Sequence, residues 1–377
     1  MNAPVLNAAD TRVSPLELFF DLVFVFALTQ VTVLMADDLG AESVLRGVLV
    51  LGMLWASWAG YAWLCNVVSA DGVRTVLLTS MAAMLGLALA IPEAFDDRPG
   101  GLHGPLLVAV CYLVFRVVHL AMYALASRDD PAERRQLLAY APFVLAGTAL
   151  LIVAAATDGR LQTLLWLVAL GTDYVGTLVG GAEGWQLRSP GHFAERHGLI
   201  VIVALGESIV AIGLAVRHHP LTGQVLLGSL LGLVVTTCLW WVYFGGDGSD
   251  GEQALHTEPA DTRTRLARDA FSLLHLPLLV GVVLTALGLK TVLQEVDEPL
   301  PGVALAALHG GVLLFLLGHA AFRWRIARDV VPARLIAAAG VAAAWVAGAH
   351  LPALWSLATL AAVLAALVTR ETVGRRR

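Results

Sequence analysis

The chain has 377 residues, of which 58% are hydrophobic and 14% charged, with a net charge of -5 and a mean hydropathy of +0.77. Soluble domains run at about 45–50% apolar and about 25% charged, so a soluble globular protein is excluded. Unbroken apolar runs, where a β-barrel would alternate, leave an all-α polytopic membrane protein.

Met1–Val13 is polar, and the apolar run after it is long enough to cross a bilayer. The first helix therefore reads as a retained anchor, not a cleaved signal. A spanning helix needs about 20 mostly apolar residues. The segments that qualify are 15–35, 44–68, 74–94, 104–126, 136–157, 161–180, 197–216, 223–244, 268–290, 301–322, 331–348 and 351–369, about twelve transmembrane helices in all. Gly, Pro, Asp and Arg mark the breaks between them. The last break is the shortest: only Gly348–Pro352 separates two helices, and Pro352 suits a first helical turn. Residues 245–267 read as a long loop on the inside, without the register of a calcium-binding EF-hand, and His218–His219 fall in an outside loop.

Basic residues favour the cytoplasmic side of membrane proteins. With the N-terminus inside, eighteen of the 24 Lys and Arg residues fall in inside segments. Arg46, Arg98, Arg160, Arg217 and Lys290 fall outside, and Arg116 lies within a span. This predicts a multi-pass protein of the inner (plasma) membrane with both termini cytoplasmic.

The halves resemble each other. LVFRVVHLA (113–121) matches LLFLLGHAA (313–321), aligning His119 with His319. LFFDLVFVFAL (18–28) matches ALGESIVAIGL (204–214), aligning Asp21 with Glu207. RTVLLTSM (74–81) occupies the place of RDAFSLLH (268–275). The order is common to both halves, which suggests two parallel six-helix repeats, 1–190 and 191–377, with a site between them.

Ionisable groups inside apolar helices are costly, about 2.5–3.5 kcal/mol at the bilayer centre, and usually face a partner or a polar cavity. The candidates for ion or substrate binding are Asp21, Glu207, Arg116, His119, Asp173, His275, His319, Glu17 and Ser208. Glu17 sits in a first turn, where the helix dipole favours an acid near water. Asp21 is one turn deeper and needs a cation, a proton or water. Arg116 requires Asp21, Asp173 or Glu207 as its partner. Glu195, Arg196 and His197 read as a charged entry to the seventh helix, and Gly206 leaves room beside Glu207 for close backbone approach or water. Trp55, Trp58, Tyr61 and Trp63, like Trp240, Trp241 and Tyr243, read either as interfacial anchors and packing or as an aromatic cavity wall.

Cys65, Cys111 and Cys238 make no CxxC pair, and no HExxH or P-loop spacing occurs, so neither a metal nor a cofactor is expected. Nothing basic and aromatic-interleaved offers a nucleic-acid surface. The expected partners are the lipid bilayer and a cation, proton or small-molecule substrate.

RVSPLELFFDLVFVFALTQ (12–30) and ERHGLIVIVALGESIVAIG (195–213) resemble the two hallmark segments of the bacterial low temperature requirement A (LtrA) family. The resemblance extends over most of the chain and implies a multi-pass inner-membrane protein. ELFFDLVFVFALT also resembles, more distantly, the first-helix signature of the endosomal and lysosomal potassium/proton channels. Phe19 and Asp21 match that signature's Phe and Asp, while Phe20 replaces its Ser. The function expected is a transporter or an ion or proton permeation pathway, not an enzyme. The alternatives are a membrane enzyme acting on lipid or isoprenoid, whose usual DDxxD repeats are missing, and a non-transporting stress-adaptation sensor.

Overall fold

The computed structural model describes residues 13–68, 74–179, 181, 184–217, 220–245, 248–329 and 331–375. The polar stretch 1–12 and the His218–His219 pair lie outside them. The described chain is helical, with no β-strand: α1 (Pro15–Asp37), α2 (Ala41–Val67), α3 (Arg74–Ala90), α4 (Gly104–Ala126), α5 (Pro131–Ala154), α6 (Gly159–Val179), α7 (Pro190–Val216), α8 (Gly223–Phe244), α9 (Gly248–Thr257), α10 (Ala260–Leu266), α11 (His275–Gln294), α12 (Gly302–Ala327), α13 (Pro332–Gly348) and α14 (Ala353–Arg375). A π-helical stretch, Ala267–Leu273, joins α10 to α11.

Each of the expected spans is helical. Among the described residues, ten helices are long and apolar enough to cross a membrane. Two of the expected spans fall outside that set. In α6, Gln162 and Asp173 interrupt the apolar run, and α13 has only 17 residues. The break at Gly348–Pro352 is real. The first amides of α14, on Ala353 and Leu354, donate to the carbonyls of Glu298 and Val296 at 2.9 and 3.1 Å, which satisfies a helix start that proline alone could not. Within the stretch 245–267, expected as a loop, Gly248–Thr257 and Ala260–Leu266 instead form the short helices α9 and α10. Their sequence alternates acids with alanine, leucine and arginine, which suits a helix lying outside the apolar layer.

The chain forms two compact units. The first holds residues up to Asp38, Glu42–His197 and Leu255–Ser272. The second holds Leu39–Ala41, Gly198–Ala254 and Leu273–Arg377. Within the first, α1 packs on α3, α3 on α4, α4 on α5 and α5 on α6. α2 is its most buried span, with Trp55, Trp58, Tyr61 and Leu64 all at 0% exposure. Within the second, α11 packs on α12, α12 on α13, α13 on α14 and α14 on α8. Apolar residues such as Phe19, Leu22, Leu89, Leu138, Ile209 and Leu226 stay on the outside, as a lipid-facing surface requires.

The α11–α12 contact depends on glycine. A Cβ on Gly311 would stand 2.7 Å from the Gly281 carbonyl oxygen and 2.7 Å from the Thr285 amide nitrogen. Small residues let membrane helices approach this closely. Gly206 is different: nothing lies within 4 Å of where its Cβ would be, so the close backbone approach expected there does not occur. Gly311→Ala is therefore expected to lower stability by about 1–3 kcal/mol through overpacking. Gly206→Ala should cause no loss. Thermal unfolding of the two purified variants beside wild type checks both.

Candidate functional site: two buried charge clusters in the first unit

The first cluster is built by helix starts. Ser14 caps α1: its hydroxyl accepts the Glu17 amide at 3.3 Å, and the Glu17 carboxylate accepts the Ser14 amide at 2.9 Å. This reciprocal capping box is what Ser-x-x-Glu before an apolar run encodes. It also aims Glu17 inward. The residue is 2% exposed, not the water-facing end expected of a first turn. α7 begins at Pro190, seven residues earlier than the expected 197, behind the Ser189–Pro190 start signal. The earlier start makes His192 and Arg196 helical neighbours one turn apart on one face.

These two starts meet. His192 Nε2 lies 3.0 Å from Glu17 Oε1, and Arg196 Nη1 lies 3.7 Å from the same oxygen. Arg196 Nη2 donates to Asp21 Oδ1 at 2.8 Å, and Trp58 Nε1 donates to that oxygen at 2.8 Å. The Arg196 guanidinium also lies over the Trp58 ring, 5.3 Å from its centroid. Asp21 and Arg196 are each 1% exposed and His192 is 2% exposed. Asp21 Oδ2 and His192 Nδ1 are buried without a protein partner. Arg196, expected in a charged entry at the membrane surface, is thus the buried counter-ion of Asp21.

Aromatic groups wall the cluster. Trp55 stacks on Trp58 at 5.0 Å, and the His197 ring meets Trp58 edge-on at 5.1 Å. His197 donates from Nδ1 to the Phe193 carbonyl at 2.8 Å, which fixes its tautomer. Trp55 and Trp63 donate to the Ser272 carbonyl and hydroxyl at 2.6 and 2.9 Å. Ser272 lies in the π-helical stretch, just ahead of Pro277, which has no amide hydrogen to give an upstream carbonyl. The tryptophan donor fills that role. Trp55, Trp58 and Tyr61, each at 0% exposure, are packed in the interior and not placed as interfacial anchors. Phe19, the residue of the channel-like signature, is 53% exposed and points away, while Phe20 stacks on Tyr61 at 5.3 Å.

The second cluster ties four helices. Arg116 of α4 donates to Asp173 of α6 at 2.7 Å, to Tyr140 of α5 at 2.9 Å and to the Ala56 carbonyl of α2 at 3.4 Å. Tyr140 and Tyr112 each donate to Asp173 at 3.3 Å. Of its three expected partners Arg116 takes Asp173. Asp21 has its own arginine, and Glu207 lies in the second unit.

In the second unit, Glu207 is 1% exposed and Ser208 0%. His275 meets the Tyr243 hydroxyl at 2.8 Å. His319 Nδ1 accepts from Arg334 at 2.7 Å, so this histidine is neutral with its proton on Nε2. Arg334 in turn pairs with Glu371 at 2.8 Å. Ring contacts recur between the units. Tyr61 meets His119 at 5.1 Å in the first, and Tyr243 meets His319 at 5.8 Å in the second. Sequence reasoning did not single out His192, Tyr140, Tyr112, Arg334 or Glu371. Pro190 was the available signal for His192, because a helix starting there carries residues 192 and 196 inward together.

Helical spans enclosing buried, partnered charges define a polytopic α-helical membrane protein. Residues 12–369 match the bacterial low temperature requirement A protein (LtrA) family, and the chain belongs to that family. It is 32% identical over 341 residues to the uncharacterized protein RA0937 of Rhizobium meliloti (strain 1021), a match covering 86% of this chain and 80% of that one. No solved structure matches it.

Removing one partner of a buried ion pair strands the other, at a cost of about 3–5 kcal/mol, whereas replacing both with apolar groups is often neutral. Arg116→Met alone is therefore expected to destabilise strongly. Arg116→Met with Asp173→Leu should recover most of the loss. Thermal unfolding of both variants tests this double replacement.

Proposed function

We propose that the chain is a membrane transporter or permeation pathway that binds a proton or monovalent cation at the Glu17–Asp21–Arg196–His192 cluster. A charge count carries this reading. Two carboxylates and one guanidinium leave the cluster one negative charge in excess when His192 is neutral. A buried net charge is unfavourable in a low-dielectric interior. One proton on His192 or on Asp21, or one bound monovalent cation, makes the cluster neutral. Asp21 Oδ2 and His192 Nδ1 are the atoms left to receive it.

Arg196 locks one oxygen of Asp21, and the other can exchange its occupant. Glu207, buried in the second unit, is the acid proposed to act there, with Ser208 and His275 on its unit's side. The distant likeness of the first helix to potassium/proton channels points the same way. Arg116 and Asp173, paired with each other and bonded by Tyr140 and Tyr112, serve as a fixed brace between helices.

The test is flux through purified protein in liposomes under imposed potassium, sodium and proton gradients. Wild type is expected to pass a proton or monovalent cation. Asp21→Asn, which makes the cluster neutral without an ion, should cut that flux about tenfold or more while the protein still purifies as a folded species. Equal flux in wild type and Asp21→Asn, or none in either, would contradict the reading.

A further inference from the structure

α2 ends on a buried polar residue that the charge count of the Asp21 cluster does not use. Asn66, the last residue but one of α2, is 0% exposed. Its side-chain carbonyl accepts the Arg188 and Ser189 amides at 2.7 and 3.2 Å, and its side-chain amide donates to the Ser189 carbonyl at 2.6 Å. The same Ser189 carbonyl accepts the Phe193 amide at 3.1 Å, in the first turn of α7. The Arg188 guanidinium donates to the Val67 carbonyl at 3.2 Å, one of the groups that a helix end leaves open. The end of α2 is thus tied directly to the start of α7.

Both helices run from this tie to the Asp21 cluster. Along α2, Trp58 stands eight residues from Asn66. Along α7, Arg196 and His197 stand seven and eight residues from Ser189. At about 1.5 Å per residue, all three lie about 10–12 Å from the tie. These matched offsets bring the Arg196 guanidinium and the His197 ring to one indole, 5.3 and 5.1 Å from the Trp58 ring. A slip of α7 by one residue would move its side chains about 1.5 Å along the axis and about 100° around it. His192 and Arg196 would then leave Glu17 and Asp21.

We propose that Asn66 is the positioning residue of the Glu17–Asp21–Arg196–His192 cluster. Its carboxamide sets the register of α7 on α2 and so places His192 and Arg196 against the two acids. The register follows from the hydrogen bonds alone, while its consequence for ion or proton binding rests on the function proposed above for the cluster. A carboxamide suits the task because one planar group offers an acceptor to two amides and a donor to a carbonyl. A leucine of similar size offers neither. An aspartate keeps the acceptor. Ionised, it sets its second oxygen against the Ser189 carbonyl; protonated, it donates there as asparagine does. The charged side chains beside the tie are Arg188 and Glu133, 3.7 Å apart.

Solid-state NMR of the full-length protein, with isotope-labelled histidine and in lipid nanodiscs, reads the position of His192 through its Nε2 signal. Loss of that signal in His192→Gln assigns it. Asn66→Leu is expected to shift the signal as His192 leaves its 3.0 Å contact with Glu17. It should also weaken the uptake of a proton or monovalent cation about tenfold. Gly311→Ala, which loosens the second unit instead, should change neither. Asn66→Asp, the smaller change, keeps the test open if the leucine variant does not fold. Compared with wild type at each pH, its His192 signal should agree at low pH and depart at high pH. A His192 signal unmoved in Asn66→Leu, moved equally by Gly311→Ala, or identical to wild type in Asn66→Asp at every pH would overturn the proposal. A shifted signal in a protein whose wild type takes up neither proton nor cation would support the tie and overturn the ion-site reading alone.

Discussion

The pairing of Arg196 with Asp21 is the constraint on which the first unit depends. A carboxylate and a guanidinium, each 1% exposed, are admissible in an apolar interior only as partners. That requirement fixes the start of α7 against the first turns of α1. It also sets Trp58 of α2 against both groups, as donor to Asp21 and as the ring beneath Arg196. The same rule holds at the other buried arginines. Arg116 is matched by Asp173, and Arg334 by Glu371. What distinguishes the Asp21 cluster is its second acid. Glu17 brings one carboxylate more than the guanidinium can match.

The apolar segments and the buried charges were legible in the sequence because both follow from composition along the chain. Spans can be read from runs of Leu, Val and Ala, and an arginine in the middle of such a run must have an acid. Which acid was not legible. Asp21, Asp173 and Glu207 are equivalent by charge, and only the packing of α4 on α5 and α6 brings Asp173 to Arg116. The partner of Asp21 was hidden for a different reason. Arg196 stands beside Glu195 and His197, and three ionisable residues in a row read as a surface. The Ser189–Pro190 start signal, seven residues upstream of the expected helix, is what carries Arg196 inward. Residues 245–267 show the converse limit. Their glycines and acids suggested a loop, yet part of the stretch closes into short helices.

Certain contacts recur within each unit. Tyr61 of α2 and Tyr243 of α8 each lie against a histidine, His119 or His319, and each places its hydroxyl against a further polar residue, Ser80 of α3 or His275 of α11. The surroundings then diverge. His319 accepts from Arg334, whereas His119 packs against the backbone of Gly60 in α2. The aromatic wall has a similar economy: the π-helical stretch before Pro277 leaves a carbonyl that Trp55 satisfies, so an irregular backbone and a buried indole settle each other's hydrogen bonds.

The central claim is that the buried Glu17–Asp21–Arg196–His192 cluster is one positive charge short of neutrality and takes that charge from solution. Counting protons bound by the purified protein, by titration with and without monovalent cations, tests it most directly. The account predicts that wild type takes up one proton, or one cation in its place, that Asp21→Asn does not. Identical uptake by the two proteins, with both folded, would contradict it.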